Sequence, residues 1–556
     1  MPTTAEPLGV SRGQAAWALA WLSAGRCRAI VLGVITLTFV AHLLYVGANC
    51  PMDLAEDEAY YWDWSRQLDI SYYSKGPLTA YLIRASCAIF GDTALAVRLP
   101  ALFMRVGISL CTFWLARRLF RSERLALGAV LLGYLAPMMM AAGLIMTTDP
   151  PFLFFWALAT CLACAAILDG RGWAWWAAGA AVGLGFLTKF SMPLWLAGLF
   201  LFLLLDRESR HLLRTRGPWV AVLVALPFTL PVIIWNVRHA WVTFLHVSED
   251  VGVSEGALEA RNIIDFWTGQ MCVIGPLLFL LIAAGVVSAI YVQARRPREG
   301  EADDRRALRF LLCMGLPVFL GVMLSSLRKH ASNNWVASSY FACLILTAWF
   351  LSRQMQSQRQ WRLWRWIFYP AVVTGLALVL VAHNTELLYP AVARYNAAFP
   401  ASALTVRKID PTYRLHGWAE IGQRVSSLVE RQPRMLLMAA EYQTAAELAF
   451  YVRGEPKTYC AGSYFIGAQR EPFSQFDIWP DRRLEAAEVQ RRGMLGWDAI
   501  YLGAMNAEMR GAFASVQRLP DVEIHRRGLE VRRVEIWKCS GFRGLEWPGW
   551  DGRYNK

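Results

Sequence analysis

Long apolar runs separated by short charged ones dominate the first two thirds of the chain, as in Ile30–Ala48 and Pro370–His383. A bilayer core takes roughly 20 apolar residues per helix, so the pattern predicts an α-helical polytopic membrane protein of about 11 spans. Two stretches break the regularity. Pro77–Phe90 is apolar but only 14 residues long and carries Arg84. As a span it would put the Arg117–Arg124 cluster on the wrong side, so it is expected to lie flat in the interface. Trp173–Asp206 is too long for one helix and sits between two basic loops. Two short spans turning at Thr188–Pro193 satisfy both facts and bring Lys189 near the outer surface.

Beyond residue 385 the pattern changes. Met435–Ala440 reads as a strand, Tyr442–Val452 as a helix and Asp498–Gly503 as a strand, punctuated by Gly454, Pro456, Pro472 and Pro480. The expected organisation is a cytoplasmic segment 1–29, a transmembrane domain 30–384 with a first external loop 49–93, and an extracytoplasmic α/β domain 385–556. Ile30–Ala48 lacks a small-residue cleavage site after it and is expected to be a retained span.

Composition narrows the class. With 56% hydrophobic and 18% charged residues, the chain is too apolar for a cytosolic enzyme, a disordered chain or a secreted disulfide scaffold. Of the net charge of +14, little lies in the tail, where residues 385–556 hold 24 Lys and Arg against 20 Asp and Glu. The excess sits in short loops such as Arg117–Arg124, Arg207–Arg216, Arg295–Arg309 and Arg353–Arg365, which are expected on the cytoplasmic side. Cytoplasmic loops account for the charge, so no nucleic-acid partner is implied. Neither a phosphate-loop nor a dinucleotide motif occurs. Cys161 and Cys164 lie in an apolar helix without acidic or histidine neighbours. Cys460 and Cys539 share the tail, where a disulfide is permitted.

The candidate chemistry gathers at the outer ends of the spans. Residues 49–93 carry seven carboxylates against three bases. Within them Glu56, Asp57, Glu58 and Asp63 stand among Tyr60, Tyr61, Trp62 and Trp64. If helical, this segment is expected along the membrane surface with its aromatics at headgroup level. Carboxylates beside aromatic rings suit a sugar: the acids bind or deprotonate hydroxyls, and rings stack on apolar sugar faces. Tyr73 and Lys75 follow, just before the turn at Gly76-Pro77, and a lysine there is a compact cation for a phosphate. Asp149, Lys189, the Arg328-Lys329-His330…Asn334-Trp335 loop and the His239 and His246 set also fall on the outer side. Plainer uses exist for each residue type: a helix cap for Asp149, a snorkelling side chain for Lys75 or Lys189. None of these groups has metal-ligand spacing, so no metal or other cofactor is implied.

These residues resemble a known superfamily. Asp57-Glu58-Ala-Tyr-Tyr61, Lys75-Gly-Pro-Leu78 and Ala96-Val-Arg-Leu-Pro-Ala101 look like the bacterial branch of the protein O-mannosyltransferases. That branch includes the lipid A aminoarabinose transferases and the rhizobial galacturonosyltransferases. Asp149-Pro, Gly183-Leu-Gly-Phe-Leu-Thr-Lys189, Trp235-Asn…His239-Ala-Trp241 and Asn334-Trp335 follow in the same order, and Glu441–Tyr451 and Ser474–Trp479 resemble the external domain of the galacturonosyltransferase-like members. The resemblance implies a GT-C fold, a polyprenyl-phosphate sugar donor and a lipid or glycan acceptor among the membrane lipids. It implies Asp57 as the leading catalytic residue, with Glu58 and Asp149 supporting it. Lys75 would contact the carrier phosphate, with Lys189, Arg328 and Lys329 as further phosphate ligands and Tyr60, Tyr61, Tyr73, His239, His330 and Asn334 as substrate contacts. One departure is that Ser74 stands where the aminoarabinose transferases have a zinc-binding Glu, so their metal is not carried over. The expected activity is transfer of a sugar, with inversion, to an acceptor hydroxyl. The rival readings are a transporter or flippase of lipid-linked sugars, a protein O-glycosyltransferase and an inactive sugar-binding scaffold.

Overall fold

The computed structural model describes residues 22–250, 260–429, 434–466 and 472–547. Most of the expected cytoplasmic segment, residues 1–21 with Arg12, lies outside the described residues. Among them, eight helices are long and apolar enough to cross a membrane, from Ala24–Ala48 to Gln358–His383. The pair Trp173–Phe186 and Pro193–Leu205, 14 and 13 residues long, turns back at Thr188–Met192. Each is too short alone for a bilayer core of about 30 Å at 1.5 Å per residue.

Leu78–Phe90 is also a 13-residue helix, with Ala80, Ile83 and Cys87 buried on one face and Arg84 and Phe90 exposed on the other. Its length and two-faced character fit an element lying in the interface. The membrane body packs around Asn333–Met355, the most enclosed of the long helices, whose residues Ala337–Leu351 are buried throughout.

The tail folds as an α/β domain on a five-stranded sheet of order β2-β1-β3-β7-β4. The strands are β1 (Met435–Ala439), β2 (Thr458–Cys460), β3 (Asp498–Leu502), β4 (Phe513–Arg518), β5 (Val522–Arg526), β6 (Leu529–Val534) and β7 (Ile536–Phe542). β1 pairs in parallel with both β2 and β3, while β7 runs antiparallel to β3 and β4. β5 and β6 form a separate hairpin. β1 is buried from its second residue onward and β3 likewise, as expected of parallel strands covered on both faces. Cys460 and Cys539 are not bonded to each other; they sit on β2 and β7, which β1 and β3 keep apart.

The domain is fixed to the membrane body through the helix Glu56–Arg66. Its residues Glu58–Ser65 are all buried, so Trp62 and Trp64 do not face the headgroups. The helix Tyr442–Tyr451 lies over them instead: Tyr60 packs on Tyr442 and Phe476, and Trp62 meets Phe450 edge-on. Aromatic composition at a membrane surface cannot separate a lipid belt from a domain interface, and here the C-terminal α/β domain provides the apolar cover. Two buried polar links accompany it. Asp63 pairs with Arg482 at 2.9 Å, both almost fully buried, and the Gln475 backbone N–H donates to the Tyr60 hydroxyl at 2.7 Å.

Candidate active site

Three loops converge at the end of the membrane body that meets the C-terminal domain. The Lys75 loop is seated by Gly76, where a Cβ would fall 2.3 Å from the Leu187 carbonyl oxygen. The Leu78 N–H also donates to that oxygen at 3.0 Å. The Lys75 turn is thereby locked onto the loop that carries Lys189. From there Lys189 Nζ reaches Asp149 Oδ1 at 2.7 Å, and Asn334 Nδ2 donates to Asp149 Oδ2 at 2.6 Å. Asp149 is the first residue of its helix rather than its cap, which is Thr148. Its carboxylate therefore serves side chains from two other segments.

Asp57 lies one helix away. It is accessible to solvent, yet protein crowds it on every side, the condition of a side chain lining a recess. Desolvation holds its carboxyl above the usual range; Lys75 pulls it down, Asp149 pushes it up, and Arg414 and Glu58 act more weakly in opposite senses. Tyr61 faces the same place, beside Asp57 and Asp149, its hydroxyl bonded to Thr148. The recess thus brings together a carboxylate whose pKa burial raises, a second carboxylate oriented by a lysine and an amide, and a lysine within electrostatic reach of the first.

Glu58 faces the other way. It is fully buried, takes Arg98 Nη2 at 2.8 Å and Nε at 3.0 Å, and accepts the N–H groups of Ala55 and Met146. That set fixes the start of the Asp57 helix to the helix Ala94–Phe120 and to the segment before Asp149. Tyr60 is enclosed by the external domain. Tyr73 gives its N–H to Gln475 and places its hydroxyl 3.3 Å from His246 Nδ1. His239 stacks on Trp235 at 4.0 Å and borders a cavity of about 420 Å³ with Arg238 and Arg483. Arg328 and His330 are exposed on the loop before Asn334, and Lys329 donates to the Glu249 carbonyl at 3.0 Å. The structure therefore gathers Asp57, Tyr61, Lys75, Asp149, Lys189 and Asn334, and spreads the others around them.

Sequence reasoning did not find Arg98, Arg414 or Arg532 as parts of this neighbourhood. Arg98 stood in a quoted motif, but nothing local told that it pairs with Glu58. Arg414 and Arg532 come from the tail, where no motif marks them. The His, Asp and Glu side chains among the described residues that approach one another within 4.8 Å as a group of three are Glu523, His525 and Glu530, exposed on the β5–β6 hairpin.

Several known proteins resemble this chain in sequence or in fold. Residues 74–235 match the family model described as dolichyl-phosphate-mannose-protein mannosyltransferase. The chain is 29% identical over 406 residues to the lipid A galacturonosyltransferase of Rhizobium johnstonii, covering 72% of this chain and 78% of that one. It is 23% identical to the undecaprenyl phosphate-alpha-4-amino-4-deoxy-L-arabinose arabinosyl transferase 1 of Pseudomonas fluorescens, over 78% of this chain and 84% of the relative. The fold matches that of ArnT from Cupriavidus metallidurans bound to undecaprenyl phosphate, with a TM-score of 0.60 at 18% identity over 94% of this chain and 98% of that one. The chain has the fold of that protein, a polytopic membrane protein with a C-terminal α/β domain, and is similar over most of its length to these sugar transferases.

Proposed function

We propose that this protein moves a sugar from a polyprenyl-phosphate carrier to a hydroxyl of a saccharide acceptor, lipid A or its core among them, at the periplasmic face of the bacterial inner membrane. The convergence of Asp57, Lys75 and the Lys189–Asp149–Asn334 group on one outer recess carries this reading. The names of the relatives supply the carrier and acceptor class.

In this reading Asp57 accepts the proton of the acceptor hydroxyl as its oxygen attacks the anomeric carbon. The transition state is oxocarbenium-like, as in other glycosyl transfer, and the configuration inverts in a single displacement. The anomeric carbon–phosphate oxygen bond breaks, and Lys75 stabilises the charge that grows on the departing phosphate. Asp149, held by Lys189 and Asn334, orients a sugar hydroxyl, and Tyr61 borders the same space. Glu58 and Tyr60 act as positioning residues. His239, Tyr73, Arg328, Lys329 and His330 lie around the entry, where a lipid phosphate approaches. A lipid phosphate is already a competent leaving group, so no nucleotide site is needed.

The test is Asp57→Asn in the full-length protein. Transfer to lipid A, read by mass spectrometry, should fall about 10²–10⁴-fold, while binding of undecaprenyl phosphate persists. Undiminished transfer removes Asp57 from the base role. Failure of the wild-type protein to bind undecaprenyl phosphate overturns the reading as a whole.

A further inference from the structure

A cavity of about 1000 Å³ lies against the C-terminal domain, and Glu56, the neighbour of Asp57, forms part of its wall. It opens at the carboxyl ends of β1 and β3, where Ala440 and Gly503 border it. Because β2 and β3 pair with opposite edges of β1 in parallel, the chain leaves β1 toward one side and returns on the other. Open α/β sheets hold their ligands at such a switch point. The 10-residue helix Tyr442–Tyr451 also begins here, and its N-cap, Glu441, makes no side-chain capping bond. The first-turn N–H groups, with Gln443 and Thr444 on the cavity wall, favour a negative charge.

Unmatched polar groups on the same wall point to a ligand. Asn506 is 8% exposed; its Oδ1 takes the Met509 N–H at 2.9 Å, and its buried Nδ2 has no partner. Arg532 stacks its guanidinium 4.1 Å over the Trp418 ring, and its buried Nε has no partner. Arg532 and Arg414 share one carboxylate, Glu56, at 3.8 and 3.7 Å, beyond hydrogen-bonding distance. Glu441 also faces both guanidinium groups and the buried Glu447 faces Arg532, yet Arg532 keeps a buried donor without a partner. A carboxylate or phosphate takes guanidinium donors in pairs, which a neutral sugar hydroxyl does not.

We infer that this cavity binds the anionic group of a saccharide substrate, the carboxylate of a uronic acid or a phosphate on an amino sugar, and delivers that substrate to Asp57. The inference rests on the proposed glycosyl transfer and deepens it. One donor chemistry serves both anions. Which substrate brings the charge depends on whether the uronate of the donor or the phosphate of the acceptor sits there.

The experiment measures binding to purified full-length protein in detergent, with four probes: undecaprenyl phosphate, D-galacturonic acid, a glucosamine disaccharide bisphosphate, and neutral D-galactose. The wild type should bind at least one anionic saccharide and discriminate against galactose. Arg414→Gln, whose side chain is 59% exposed and tolerant of replacement, should weaken that saccharide about tenfold, as should Arg532→Gln, with undecaprenyl phosphate affinity unchanged. Preference for galacturonic acid assigns the cavity to the donor sugar, and preference for the bisphosphate assigns it to the acceptor. Equal affinity for galactose, no saccharide binding, or affinities insensitive to both substitutions overturns the inference when undecaprenyl phosphate still binds. Loss of undecaprenyl phosphate binding by the wild type strikes the proposed function itself.

Discussion

Asp57 takes its charge state from two opposed influences, burial raising its pKa and Lys75 lowering it. A base must be ionised to act, so activity should fall as pH drops through this raised value. Lys75→Gln removes the lowering influence; the acid limb of the kcat/KM profile should move to higher pH, and carrier affinity should fall. A profile that keeps its limb would show that Lys75 does not face Asp57. Asp149 is held in place by direct bonds to Lys189 and Asn334. Lys189→Met or Asn334→Ala removes one charge-assisted bond, worth about 1.5–3 kcal/mol. Each variant should lose about one to two decades of kcat/KM in steady-state transfer assays. These residues were legible because each stands in a short motif at the outer end of an apolar run. Glu58 was legible as an acid but not as a buried partner. What distinguishes it from Asp57 one position earlier is Arg98, and only the fold reveals which neighbouring carboxylate that guanidinium meets.

Elements were legible in proportion to how far their pattern is local. Met435–Ala440, Tyr442–Val452 and Asp498–Gly503 each differ from the observed element by a single terminal residue, because buried parallel strands read as continuous apolar runs. The turn between the two half-length helices also lies where Lys189 and Pro193 marked it. The β5–β6 hairpin and β4 were not legible: exposed residues interrupt them, so periodicity gives little. The helix Glu56–Arg66 was legible as an element but not in its surroundings, since the cover over its aromatics comes from 382 residues further along in the Tyr60–Tyr442 contact. That cover makes a prediction about its anchor. Arg482→Met leaves Asp63 buried without its main partner, a loss of about 3–5 kcal/mol. The melting temperature of the purified protein should fall accordingly, with Arg482→Lys recovering part of it. An unchanged melting temperature would mean that the domain is held by the aromatic contacts alone.

At the scale of the whole molecule, the site and the basic loops occupy opposite ends of the same helices. Asp149 begins a 20-residue helix whose far end, at Asp169, is tied to Arg118. At 1.5 Å per residue that separation is about 30 Å, the thickness of a bilayer core. Arg306 and Arg309, paired with Asp206, join the Arg118 end, as do Arg295 and Glu301. In the last long helix, Arg359, Arg362 and Arg365 fall in the first turns, whereas His383 and the external domain follow its other end. Short loops rich in Lys and Arg stay in the cytoplasm, so the recess and the tail should face the periplasm. A protease-recognition sequence inserted at the exposed residues 402–404 should therefore be cut when the protease is added outside spheroplasts. The same sequence inserted at residues 296–299 should be cut only in inverted vesicles. The reverse pattern would turn the recess toward the cytosol, away from any acceptor on the outer leaflet, and would invert the assignment of the donor's side with it.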